Sequence, residues 1–154
     1  MVQWYDGLFG GLIAAVTSAI FYVVAGMLSG GTPAGFFADI AQALPPLHNA
    51  PESGVIIGLG VVIHFLMAAV FGVGYSVLAR RFPSMWHAPT SVLWGLGYGV
   101  FVYWAVTDVL VPITGAIDTT PWWVSLVGHT LLYGVVLSEY TTVVHRREAS
   151  AATS

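Results

Sequence analysis

Four long stretches of the chain are hydrophobic almost throughout, and shorter proline-rich, acidic or arginine-containing segments separate them. The stretches cover residues 7–28, 54–78, 91–111 and 122–144. About 20 helical residues span the hydrocarbon of a bilayer, and only a helix satisfies its own backbone hydrogen bonds there. The pattern predicts an all-α fold, a four-transmembrane-helix bundle that forms a single integral membrane domain over residues 1–154.

A shorter amphipathic segment follows the first stretch. Thr32 can cap a helix that carries Pro33 in its first turn, and Pro45-Pro46 ends it. Its apolar face comprises Phe36, Phe37, Ile40, Ala41 and Leu44, and Asp39 and Gln42 point away from that face. We predict a short amphipathic helix in the first outer loop, lying on the membrane surface or capping the bundle. An irregular loop is the alternative.

The composition agrees with a lipid environment, since 57% of the residues are hydrophobic and only 7% are charged. Soluble domains carry about 25% charged residues. With no basic surface, nucleic acid is not an expected partner. The absence of cysteine excludes disulfides and thiolate ligands. No basic segment precedes the first apolar stretch, so we interpret it as a retained span rather than a signal peptide.

The orientation follows from the positive charges. All four are arginines, at 80, 81, 146 and 147, and with four spans they share one side with both termini. Positive residues stay in the cytoplasm. We therefore predict a multi-pass protein of the bacterial inner membrane with cytoplasmic N- and C-termini.

Small residues recur at four-residue spacing inside the spans. Gly10, Ala14 and Ser18 form one such series, and Gly95 and Gly99 another. These patterns let helix backbones approach closely, either within the bundle or between subunits. No internal repeat is evident from the sequence.

Four ionisable residues lie inside the predicted spans, and such residues usually mark function. At 1.5 Å per residue, His64, His129 and Asp108 fall at similar heights in the outer half, where they could meet if they face one interior. Tyr103 could add a hydroxyl near mid-membrane. Glu139 lies about three turns deeper than His129 and is expected to serve the cytoplasmic half.

Three interpretations of the two histidines stay open. In a proton relay, His64 and His129 would titrate near neutral pH, with Asp108 as the outer partner and Glu139 as the inner one. The two imidazoles could instead ligate a haem or a pigment, because they lie at matching depth. In the third interpretation each histidine only hydrogen-bonds a neighbouring helix and holds the bundle together. The chain contains no catalytic motif, so we do not expect an enzyme.

Several segments resemble the YagU-like family of bacterial inner-membrane proteins, over about residues 54–147. They are the run His64-Phe-Leu-Met-Ala-Ala-Val-Phe-Gly-Val-Gly-Tyr75, then Ala79-Arg-Arg-Phe-Pro83, then Asp118 with Pro121-Trp122 ahead of Gly128-His129. The resemblance implies a small multi-span protein linked to acid resistance, with His64, Asp118 and His129 as family features. This chain departs from the family in a shorter first outer loop, in Tyr103 where the family has histidine, and in a shorter spacing from Pro121-Trp122 to His129.

These observations leave three hypotheses about function. The first is an inner-membrane protein that senses or relays protons in acid or envelope stress. The second is an accessory transmembrane subunit of a larger respiratory or photosynthetic complex, and the third is a small oligomeric transporter or channel. The expected partners are the lipid bilayer and either further copies of the chain, as a homo-oligomer, or a larger membrane complex.

Overall fold

The computed structural model describes residues 3–87, 89–114 and 120–151, and every regular element within those ranges is helical. The helices are α1 (Trp4–Leu28), α2 (Gly35–Gln42), α3 (Gly54–Arg81), α4 (Thr90–Thr114) and α5 (122–151). Short 3-10 helices occupy Pro45–Leu47 and Pro83–Trp86. The prediction of an all-α fold is confirmed.

Three of the described helices, α1, α3 and α4, are long and apolar enough to cross a membrane. Helix α5 is not among them, since polar side chains such as His129, Thr130 and Glu139 interrupt its apolar sequence. The described chain therefore has the character of a membrane protein with three candidate spans. The count of four spans is not confirmed.

Side-chain polarity is distributed as lipid requires. Large aliphatic side chains point outward on the long helices, for example Ile20 and Leu66, which are each 61% exposed. Hydroxyl side chains lie inside, among them Ser76, Ser138 and Thr141, which are at most 1% exposed. In water, such an apolar exterior would form an aggregating surface. In lipid, polar groups must instead bond one another or the backbone inside the bundle.

The beginning and end of α1 are set by local chemistry. The backbone N–H of Gln3 donates to the carboxylate of Asp6 at 2.6 Å, and this acidic side chain in the first turn also suits the positive end of the helix dipole. After the helix, Gly30 adopts φ 87°, a left-handed conformation that glycine tolerates. The chain can therefore turn directly into α2.

Helices α1 and α3 cross where glycines bring their backbones into direct contact. A methyl group at Gly7 would overlap the carbonyl of Gly72 and the side chain of Ser76, and one at Gly11 would overlap the carbonyl of Ala68. The small residues of α1 therefore pack inside the bundle, against α3.

Helices α4 and α5 cross in the same way. A methyl group at Gly95 would overlap the carbonyl of Gly134 and the side chain of Ser138, and one at Gly99 would overlap the backbone at Thr130. In both pairs the first helix supplies two glycines four residues apart, and the second supplies glycine followed four residues later by serine. The structure thus contains two hairpins with one packing pattern, a repeat that was not evident from the sequence.

The two hairpins meet through α1, which contacts both α3 and α5, and α2 lies across α3. Gly60 permits that crossing, since a methyl group there would overlap the carbonyl of Phe37. At the opposite end, Trp86 packs on His145 with ring centroids 4.9 Å apart. We refer to the two ends of the bundle as the α2 end and the arginine end, the latter carrying Arg80, Arg81, Arg146 and Arg147.

Two helices contain π-helical segments, Ala105–Leu110 in α4 and Gly128–Val135 in α5. A π segment adds a residue to the turn and shifts the face on which later side chains lie, and such segments are frequent at functional sites. Here both segments border the same cavity at the α2 end.

Candidate functional site

A cavity of about 360 Å³ lies at the α2 end and is bordered by all five helices. Most of its lining is aliphatic or aromatic. Polar side chains in the lining include Tyr22, Asp39, His64, Ser125, His129 and Tyr133. Both histidines that the sequence analysis placed within predicted spans therefore line one cavity.

His64 reaches the cavity from α3. Its Nε2–H donates to the backbone carbonyl of Ala15 on α1 at 3.1 Å. The aromatic rings of Phe36 and Phe37 on α2 pack against the imidazole, with centroid separations of 5.4 and 6.0 Å. His64 thus links α1 and α3 directly and lies beneath α2.

His129 reaches the same cavity from the π segment of α5. Its Nδ1 lies 2.8 Å from the carbonyl oxygen of Ser125 and 2.9 Å from the hydroxyl of Tyr22. Because the carbonyl can only accept, Nδ1 carries the proton. The ring of Tyr103 also packs against the imidazole, with centroids 6.2 Å apart. Gly128 leaves room for this arrangement, because a methyl group there would overlap the Tyr22 hydroxyl.

The cluster expected from the sequence also included Asp108, and the structure places it elsewhere. Asp108 is exposed, accepts a hydrogen bond from Thr107 at 2.8 Å, and does not line the cavity. It lies nine residues after Gly99, which faces α5, and at about 100° per residue this spacing turns Asp108 to the opposite side of α4. Similar depth alone does not bring it to the histidines.

Within the part of the chain that the structure describes, the acidic residue at the cavity is Asp39 of α2. The sequence pattern predicts that Asp39 points away from the apolar face of this amphipathic helix. In the structure α2 buries Ala38 and Ala41 against α3, and this rotation leaves Phe36, Asp39 and Ile40 along the cavity. Small side chains, rather than the large apolar ones, thus decide which face of α2 packs on α3.

Glu139 lies outside the cavity, in a separate polar cluster toward the arginine end. It accepts a hydrogen bond from Ser91 at 2.9 Å. The buried hydroxyl of Tyr75 lies near Glu139, Ser138 and Thr141, yet no group in the described ranges forms a well-oriented hydrogen bond with it.

Two tyrosines lie between the cavity and that cluster. Tyr133 donates its hydroxyl proton to the carbonyl of Ala68, and Tyr98 donates to the carbonyl of Phe71, each at 2.6 Å. The ring of Tyr98 packs against Tyr75, with centroids 5.0 Å apart. The hydroxyl protons at this level are thus directed to backbone oxygens.

The two histidines differ in whether their hydrogen bonds would allow them to ligate a haem or a pigment. His129 donates from Nδ1 to a backbone carbonyl, which is the arrangement that orients Nε2 of a ligating histidine. His64 has its Nε2 bonded to Ala15, so ligation through that nitrogen would require breaking the bond. Among the described residues, no group of three or more histidine and acidic side chains is placed to hold a metal ion.

Sequence reasoning missed Tyr22 and Asp39 as members of the site. Tyr22 could have been found from the buried face of α1, since it follows Ala15 and Ser18 at helical spacing. Asp118, a family feature in the resemblance above, lies outside the described residues.

A scan against models of protein families finds no match to this chain, and searches of curated proteins and of solved structures also find none. The resemblance to the YagU-like family therefore stays a prediction.

Proposed function

We propose that α5 is a fourth span and that the protein lies in the bacterial inner membrane with its arginine end in the cytoplasm. The bundle packs α5 antiparallel to α4 along a glycine-rich crossing, as it packs α1 against α3. The four arginines then share one side, in accord with the positive-inside rule. The α2 end, with its cavity, faces the outside.

Single cysteines test this topology, because the natural chain has none. In intact cells, an impermeant maleimide should label Asn49→Cys and should leave Ser84→Cys and Ser150→Cys unlabelled until the membrane is opened. If α5 does not cross, Ser84→Cys and Ser150→Cys will react on opposite sides, and that result would refute the four-span arrangement.

We propose further that the protein senses protons that arrive from the outer face. The observation that carries this proposal is that His64 and His129 line a single cavity bordered by α2. Imidazole is the side chain that exchanges protons near neutral pH. A role in acid or envelope stress, which the family resemblance implies, is part of the same proposal.

Sensing is favoured over a relay through the whole membrane by the tyrosines beneath the cavity. A relay needs hydroxyl groups that can pass protons onward. Tyr133 and Tyr98 direct theirs to backbone carbonyls at 2.6 Å, and Glu139 bonds Ser91 in a separate cluster. A proton that enters the cavity therefore has no hydrogen-bonded route onward through these side chains.

The expected response starts at His64. A second proton on its ring would place a positive charge beside Phe36 and Phe37. Among the described residues, the other titratable groups that line this cavity are Tyr22 of α1, Asp39 of α2, and His129 and Tyr133 of α5. A charge inside a membrane costs about 3 kcal/mol on insertion scales unless water or a counter-charge reaches it. Acidification should therefore favour a state in which α2 lifts from α3 and admits water.

A thiol buried under α2 reports this opening. Ala38 is 2% exposed and packs against Ile56 of α3. The thiolate fraction of any cysteine falls with pH, so we compare Ala38→Cys with an exposed cysteine. In nanodiscs, we expect the relative rate of maleimide labelling to rise as the pH falls through the range in which histidine titrates. The rate, relative to exposed Asn49→Cys at each pH, should rise roughly tenfold, which corresponds to about 1.4 kcal/mol in the opening equilibrium.

The matched variant is Ala38→Cys with His64→Gln, whose side chain keeps a donor for Ala15 but does not titrate. Its relative rate should stay flat with pH. An equal rise with and without His64 would overturn the role of this residue in proton sensing. The hypotheses of an accessory subunit, a transporter and a haem or pigment site stay predictions.

A further inference from the structure

Three of the hydroxyl groups that line the cavity direct their protons to backbone carbonyls. Ser18 donates to the carbonyl of Ala15 at 3.1 Å, Thr114 to Val111 at 3.0 Å, and Tyr133 to Ala68 at 2.6 Å. Each hydroxyl oxygen keeps its lone pairs after donating. These side chains can therefore accept hydrogen bonds from a molecule in the cavity but have no proton to offer it.

The neutral imidazole of His64 likewise donates its proton to the backbone and keeps an acceptor nitrogen. Its Nε2 lies against the carbonyl of Ala15, an acceptor, so Nε2 must carry the proton. The lone pair is then on Nδ1, with which no residue in the described ranges forms a hydrogen bond. Asp39, whose carboxylate only accepts when it is ionised, borders the same space.

We propose that this cavity binds a small, neutral, apolar molecule that carries a hydroxyl group, such as a phenol or an alcohol. The hydroxyl donates to Nδ1 of His64, and the apolar body lies among Phe36, Met67 and Phe71. A cavity of about 150 Å³ holds a benzene molecule. A volume of about 360 Å³ therefore accommodates one substituted ring with a short alkyl chain.

Other ligand classes fit less well. A carboxylate would meet lone pairs and the carboxylate of Asp39, and a ketone or ether has no proton to donate. An ammonium ion would have to leave water for a lining that is mostly apolar. A neutral hydroxyl satisfies the acceptors at the smallest cost of desolvation.

The inference shares His64 with the proposed proton sensing but does not depend on it. Protonation of Nδ1 would remove the lone pair that accepts the hydroxyl, so ligand and proton would compete for one nitrogen. Binding that weakens on acidification would join the two proposals. Binding that ignores pH would leave the ligand class standing and contradict the sensing role.

Matched probes test the ligand class with the whole protein in nanodiscs, and empty nanodiscs correct for partition into lipid. The probes are 4-propylphenol and 4-propylanisole, which differ by a methyl group on the oxygen. By titration calorimetry at pH 8, we expect 4-propylphenol to bind roughly five- to tenfold more tightly, the factor of one net hydrogen bond. His64→Phe should abolish this difference, while His87→Phe at the arginine end should preserve it.

Two other results would overturn the proposal. Equal affinity of the two probes for the natural protein would show that the cavity binds by apolar contact alone or is filled by lipid chains. This result would overturn the proposal, and it does not depend on the folding of any variant. Tighter binding of 4-propylbenzylamine than of 4-propylphenol would overturn it in favour of a cation site.

Discussion

Gly72→Ala is expected to reduce the stability of the bundle more than any other single methyl group introduced on α3. A Cβ at this position would lie 2.9 Å from the Cα of Gly11 and would overlap the carbonyl of Gly7. Both contacts are backbone, so they can be relieved only if α1 and α3 move apart. Overpacking of this kind costs about 1–3 kcal/mol and sometimes more. Unfolding in mixed detergent micelles, followed by far-UV circular dichroism, measures the loss.

Gly58→Ala is the matched control, because it adds the same methyl group to the same helix. A Cβ at Gly58 has no atom within 4 Å, and the residue is exposed on the outer face. Alanine favours helix over glycine by about 0.5–1 kcal/mol, so this variant should be as stable as the natural protein or slightly more so. Equal losses in the two variants would contradict the close crossing of α1 and α3.

Gly60→Ala is expected to detach α2 without unfolding the bundle. The added methyl group would overlap the carbonyl of Phe37, and α2 can relieve the clash by lifting from α3. The clash then destabilises only the closed state of α2, by about 1–3 kcal/mol. The labelling rate of Ala38→Cys should rise roughly 10- to 100-fold at neutral pH, a condition in which the natural protein stays closed.

The stability of the long helices separates this effect from general damage. Gly60→Ala should unfold in micelles nearly as the natural protein does, whereas Gly72→Ala should not. If labelling of Ala38→Cys is unchanged by Gly60→Ala, α2 does not rest on α3 at this glycine. The pH response assigned to α2 would then lose its structural basis.

The two hairpins explain why the cavity lies at the α2 end. Glycines and serines bring α1 against α3, and α4 against α5, in the region of Gly72 and Gly134. The π segment of α5 contains its crossing with α4, and the π segment of α4 follows that crossing toward the α2 end. There, larger side chains such as Tyr22, His64 and His129 fill the interior. Bulky polar side chains between helices leave gaps that aliphatic residues would close, and the cavity is one of these gaps.

The sequence by itself determined the class of fold and the positions of the helices. Hydrophobic runs at 7–28, 54–78 and 91–111 correspond to Trp4–Leu28, Gly54–Arg81 and Thr90–Thr114. Length and polarity are local properties, and in lipid they are sufficient because every backbone group must bond within its own helix. The same reasoning located a short helix before Pro45, where the structure has Gly35–Gln42.

Only the tertiary structure decided which polar side chains meet. The sequence placed Asp108 at the depth of the two histidines, yet depth does not decide facing: Asp108 is exposed in the structure, and Asp39 of α2 borders the cavity instead. Hydrogen bonds across helices, such as His64 to Ala15 and Tyr133 to Ala68, depend on how closely backbones cross. That closeness arises from pairs of glycines on different helices, and the sequence does not reveal the pairing because the partners lie 35 or more residues apart.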